Sequence, residues 1–328
     1  MNKFLIKNCI KSDFFDKTFK IISLLSATLI ILLLGSFLLQ LLVLGADSIK
    51  TFGFGFLISK DWDPVKNIYG ALPAICGTFI TTILSLAIAI PLSFCIAIYL
   101  VEIAPKTVSS VLSVTINMLA AIPSIIYGIW GIFVVAPLMQ QKIIPFINQA
   151  INFLIANVIN KISTLCGGSE LQFIDTQVNS GCNLLTASLI LSIMILPFIC
   201  AIMQDIFRLV SPLVKEAAYG SGATTFEVSR KITLRSGLNG VVGACFLGLG
   251  RAVGETMAVL YVVGNVQQVS ASLYEGGTTI SATLANNFAE ASGLFKSSLF
   301  ELGFILLVMT FIIQLISKLF VKYVIKTM

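Results

Sequence analysis

Charged side chains gather in clusters along this chain, and the stretches between the clusters are long and apolar. Uncharged runs cover residues 21–46, 67–101, 107–141 and 176–204, each longer than the ~20 residues a helix needs to cross hydrocarbon. A fifth run, 236–265, is broken only by Arg251 and Glu255, and a sixth, 297–317, carries Glu301 alone. The pattern predicts six membrane helices. Between the third and fourth, Ile147, Ile151, Leu154, Ile155, Val158 and Ile162 recur at helical spacing beside Asn148, Gln149, Asn152, Asn157 and Asn160. That pattern predicts a helix lying in the outer interface. Pro73, Pro91, Pro123, Pro137 and Pro197 fall within spans or at their ends, so several helices are expected to bend.

Composition agrees with a membrane solvent. Mean hydropathy is +0.99 and charged residues make up 11% of the chain, against about 25% in soluble domains. The positive charges also give direction. Lys3, Lys7, Lys11, Lys17, Lys20, Lys106, Arg208, Lys215, Arg230, Lys231, Arg235, Lys318, Lys322 and Lys326 fall on one side of the six spans; Lys50, Lys60, Lys66, Lys142, Lys161 and Lys296 fall on the other. Positive residues favour the cytoplasmic face, which places both termini inside. The expected organisation is a cytoplasmic tail at 1–20, a first membrane helix at 21–46 and a core at 67–328. That core holds an outward loop at 142–182 and an inward loop at 205–235. The net charge of +6 is thus spread over short loops, and nucleic acid, which needs one basic stripe, is excluded as a partner. The first run is too long for the apolar region of a signal peptide.

Metal chemistry has no support, since histidine is absent and no cysteine pair has zinc-site spacing. No catalytic residues and no cofactor are expected. No G-x4-G-K-[ST] run occurs, so any nucleotide hydrolysis must take place on another chain. Cys76, Cys95, Cys200 and Cys245 lie in spans as small apolar residues, while Cys166 and Cys182 share the outward loop, where both a disulfide, which needs an oxidising compartment, and two free thiols are open.

Arg251 and Glu255 are the costliest residues in the chain. A charge at the centre of a membrane helix costs ~2.5–3.5 kcal/mol, whereas an exposed i,i+4 pair returns ~0.2–0.5 kcal/mol. Two explanations are open. One is a passage for an anion, in which the guanidinium forks onto two oxygens of a tetrahedral oxyanion and stays charged. Glu255 would then offset the charge of the empty path and accept a hydrogen bond from a protonated anion, disfavouring sulfate. The other is a buried structural bridge, with Gly250 and Gly254 letting a neighbouring helix approach. The inward loop at 205–235 has the makings of a docking surface: Glu216, Ala217 and Ala218 give a narrow helix face, and Gly220 and Gly222 end it.

The same loop, with Glu216, Ala217, Ala218, Gly222, Ile232 and Leu234, is similar to the E-A-A-x3-G-x9-I-x-L-P pattern of ABC importer permeases; Arg235 stands where that family has proline. Residues 249–259, Leu-Gly-Arg-Ala-Val-Gly-Glu-Thr-Met-Ala-Val, followed by Gly264 and Asn265, resemble the PstC-type phosphate permeases. The segments at 102–105, 121–131 and 191–197 do so as well. The resemblance implies an all-α integral membrane protein of the type I ABC importer permease fold, multi-pass in a bacterial inner membrane, with both termini inside. It implies a phosphate path through Arg251, Glu255 and Thr256, and coupling to an ATPase through Glu216, Ala217, Ala218 and Gly222. It also implies partners: a homologous PstA-type permease, two PstB-type ATPase subunits and a PstS-type phosphate-binding protein, in addition to membrane lipid. The rivals are an ABC permease for sulfate or molybdate and a carrier that works alone.

Overall fold

The structure is a computed structural model; it describes residues 2–154, 180–269 and 272–327, with side chains over 16–149, 180–269 and 272–320. Six helices in it are long and apolar enough to cross a membrane. The first, α1 (Asn2–Leu44), exposes nearly every side chain of its apolar part, as a helix bathed in lipid does. It stops at Gly45, where a Cβ would stand 3.2 Å from the backbone nitrogen of Glu301. Two short helices follow at the outer face, α2 (Ala46–Phe52) and α3 (Gly55–Ile58). Phe56 and Tyr69 are buried there, and Tyr69 stacks on Phe295 with ring centroids 5.4 Å apart.

The core is built around two helices that each carry a proline inside them, Pro91 and Pro197. These are α4 (Leu72–Ile103), whose last turn widens to a π-helical one at Tyr99–Ile103, and the fourth span, which contains Pro197. Between them in sequence come α5 (Lys106–Ala120) and α6 (Ser124–Gln149). The fourth span, α7 (Leu184–Arg208), opens with Asn183 accepting the Thr186 N–H at 2.9 Å. It is the hub: 61% of its apolar window is buried, against 6% for α1. Ser93 of α4 donates to Leu196 O of α7 at 2.9 Å, a side chain serving a backbone acceptor beside Pro197.

At the inner side lies α8 (Pro212–Gly220), followed by α9 (Thr225–Val253), a four-residue turn of helix α10 (Met257–Leu260), α11 (Ile280–Asn287) and α12 (Gly293–Thr327). The outer end of α4 meets the strand-like segment before α11 so closely that a Cβ on Gly77 would fall 1.9 Å from Thr278 O, and Ile280 N donates to Thr78 Oγ1 at 3.0 Å.

Helix ends depart from the charge-free runs in three places. The third run is divided at 121–123, because Pro123 drives its predecessor out of helical geometry. The helix expected to lie alone in the outer interface continues α6 without interruption as far as Leu154; Ile155, Val158, Ile162, Asn157 and Asn160 lie outside the described residues, as does Cys166. The fifth span is displaced most. A reciprocal cap between Thr224 and Glu227 starts it at Thr225, and with Arg235 in place of proline the helix runs straight on. It ends at Val253, well short of 265.

Candidate functional site

The three predicted path residues flank the break after Val253, each with partners of its own. Arg251 occupies the last turn of α9, where the carbonyl end of a helix favours a cation by ~0.3–1 kcal/mol. Its guanidinium carbon lies 5.3 Å from the centroid of the Phe198 ring, near the middle of α7, so the charge sits near half depth. Arg251 is exposed. Among the described residues the ion pairs are Lys66–Asp63, Lys215–Glu102 and Lys231–Glu227, and Arg251 takes part in none. The bridge expected from i,i+4 spacing is absent because the helix does not reach Glu255. That carboxylate turns the other way, and its Oε1 accepts the Ala258 N–H at 3.2 Å, fixing the start of α10. Thr256 precedes α10 and donates weakly to Gly254 O at 3.4 Å.

Gly250 and Gly254 have different jobs. A Cβ on Gly250 would meet Gln314 Nε2 at 2.5 Å, so this glycine admits α12. Gly254 faces a cavity of about 650 Å³ among α1, α11 and α12, with Thr256, Ser281 and Thr310 as its polar lining. Arg251 and Glu255 do not line that cavity, so the break presents two faces.

The second candidate surface is α8. No residue on it is buried; Leu213 is 75% exposed, and Glu216 and Ala217 face solvent with Ala218 half-buried. Its end is sharply defined. Ala223 N bonds to Ala218 O at 3.1 Å and Gly222 N to Tyr219 O at 2.9 Å, a Schellman closure, with Gly222 at φ +86°. That conformation excludes a Cβ at little cost only for glycine. The result is a rigid apolar knob on the cytoplasmic side.

One contact here escaped the sequence. Glu102, at the inner end of α4, is 4% exposed and pairs with Lys215 of α8 at 2.5 Å, and Thr233 Oγ1 of α9 donates to the same oxygen at 2.8 Å. In the sequence Glu102 stood out as the charge that closes a span and as the start of the resembling segment 102–105, but its partner lies 113 positions away along the chain.

A bundle of membrane helices, broken at half depth beside an arginine free of ion pairs among the described residues and carrying a short exposed helix at its inner end, is the architecture of a transport permease. The chain belongs to the binding-protein-dependent transport system inner membrane component family, whose profile matches residues 89–326. It is 44% identical over 306 residues to the phosphate transport system permease protein PstC of Haemophilus influenzae, covering 93% of each chain. The PstC protein of Pasteurella multocida is 46% identical over 295 residues, with 90% of this chain and 88% of that one covered. Among solved structures, a chain of the inward-facing MetNI methionine ABC transporter superposes with TM-score 0.50 at 17% identity, over 78% of this chain and 94% of that one. The multi-pass permease fold and the resemblance to PstC-type permeases read from the sequence are both borne out.

Proposed function

We propose that this chain is the path-forming permease subunit of an ATP-driven importer of inorganic phosphate. It works with a PstA-type permease, two PstB-type ATPases and a PstS-type binding protein. The observation that carries this is Arg251, an exposed and unpaired guanidinium near half depth. Facing lipid, it would cost ~2.5–3.5 kcal/mol, and the Phe198 ring returns only about 0.5–2 kcal/mol. An aqueous passage shared with a second permease removes that cost and leaves the fork free for two oxygens of a passing anion. The names carried by the relatives supply the cargo.

Glu255 and Thr256 stand at the same break with different duties. Glu255 holds α10 through Ala258 and, as half-buried acid, offers an acceptor to a protonated phosphate oxygen that sulfate lacks. Because it does not neutralise Arg251, the empty path keeps its positive charge. On the inner side, Glu216, Ala217, Ala218 and Gly222 form the knob that enters the ATPase groove.

The test is uptake of labelled phosphate by a bacterial strain lacking its own high-affinity system and supplied with this chain and its partner genes. Uptake should be blocked by unlabelled phosphate, resist sulfate and molybdate, and fall to background in Arg251→Gln. Competition by sulfate or molybdate would reassign the cargo, and normal uptake by Arg251→Gln would make Arg251 structural. Uptake without any ATPase partner would point to a carrier that works alone.

A further inference from the structure

One carboxylate oxygen gathers the inner ends of the helices. Glu102 Oε1 receives the Lys215 ammonium from α8 and the Thr233 hydroxyl from α9, and the same ammonium reaches Phe207 O in the last turn of α7 at 3.4 Å. Lys215 is the residue of α8 that turns inward: its side chain is 16% exposed, while its neighbours Glu216 and Ala217 face solvent. The docking helix otherwise packs against the first turns of α9, over 225–233.

Both partners in α4 and α9 lie on widened turns. Glu102 is in the π-helical turn Tyr99–Ile103, and Thr233 closes another at Ser229–Thr233. Such turns give up regular helical bonding and recur at functional positions. Beside this junction is a cavity of about 640 Å³ between α4 and α9, with Phe94, Ile98, Phe226, Arg230 and Leu234 around Glu102. Space on that side lets the start of α9 shift against α4 without repacking the core. Thr233 and Arg251 are 18 positions apart on the same helix, which at 1.5 Å per residue is about 27 Å of continuous helix.

We propose that Glu102 is a positioning residue for transport: it transmits displacement of the docking helix to α9, and so to Arg251, by holding Lys215 and Thr233 on one oxygen. This rests on α8 being the ATPase-docking helix. Without the junction, α8 still docks and the ATPase still turns over, but its motion is spent in a loose helix. Glu102 touches neither the cargo nor the nucleotide.

The experiment uses the assembled complex of this chain with its permease, ATPase and binding-protein partners in proteoliposomes, and reads phosphate moved per ATP hydrolysed. For Glu102→Gln, co-purification of the ATPase and basal hydrolysis should stay within about two-fold of wild type, while phosphate moved per ATP falls at least ten-fold. The exchange Glu102→Lys with Lys215→Glu should recover a third or more of the ratio. Thr233→Val, which leaves the ion pair intact and cuts only the link to α9, should uncouple in the same sense and guards against a folding defect in the charge variants. Uptake and hydrolysis falling together at constant ratio, or a normal ratio in both Glu102→Gln and Thr233→Val, would overturn the inference. A wild-type complex that moves no phosphate would instead overturn the functional assignment beneath it.

Discussion

Replacing Phe198 with leucine removes the ring beside Arg251 and keeps an apolar side chain in its place. The guanidinium carbon lies 5.3 Å from the ring centroid, inside the ~6 Å range over which an aromatic face attracts a cation. No ion pair holds Arg251 among the described residues, so the ring is its anchor. The attraction is ~0.5–1 kcal/mol where water reaches it and ~2 kcal/mol where water is excluded. At 1.4 kcal/mol per factor of ten, losing it lowers any rate set by the position of the guanidinium about 2- to 30-fold. The smaller side chain also costs packing energy, but that reduces the amount of folded complex and not the rate of each complex. Uptake is therefore measured per mole of purified, reconstituted complex, with Phe198→Tyr as the control that keeps the ring. Leucine should fall in the stated range and tyrosine should stay near wild type. Equal rates for leucine and wild type, alongside a dead Arg251→Gln, would refute the idea that the ring positions the charge.

Glycine substitutions should split by location. Gly77→Ala drives a Cβ to 1.9 Å from Thr278 O, a backbone atom pinned by the Ile280–Thr78 bond, and should lower thermal stability in detergent by ~1–3 kcal/mol or more. Gly35→Ala meets nothing within 4 Å and should raise it by ~0.5–1 kcal/mol through helix propensity; the same sign for both would undo the close approach at Gly77. Glu301 is 6% exposed and its Oε2 lacks a hydrogen-bond partner among the described residues. Glu301→Gln, which keeps the shape and replaces a buried carboxyl that has an unsatisfied oxygen, should therefore match or exceed wild-type stability, whereas Ser48→Ala, which strips a bond to Ser298 Oγ, should lose ~0.5–1.5 kcal/mol in the same melt. Burial pushes the Cys182 thiol above its ordinary range, with the Ser180 hydroxyl acting the other way. In reduced protein, alkylation there should lag an exposed thiol at pH 7.5 and gain on it as pH rises, and a pH-independent rate ratio would count against the burial.

The membrane helices were legible because hydrocarbon sets a minimum apolar length, and a run either meets it or does not. Their ends were not, because charges mark where water begins while caps decide where a helix does. Thr224 and Glu227 start α9 inside the stretch read as loop, and α9 gives way at Gly254 to α10, whose start Glu255 caps, inside the stretch read as span. The helix α8 was legible in its residues, since Gly222 at φ +86° is a local requirement that shows as a glycine. The charged pairs reversed their expected order. Arg251 and Glu255 are four residues apart and unpaired, whereas Glu102 and Lys215 are separated by 113 positions and share a bond of 2.5 Å. Sequence proximity favours a pair only while one helix carries both members, and a single break cancels it. What decides pairing in a membrane is which helix ends meet at the same depth. By that rule, Glu102 finds its partners within the chain, while Arg251 takes part in no ion pair among the described residues and is open to the anion proposed above.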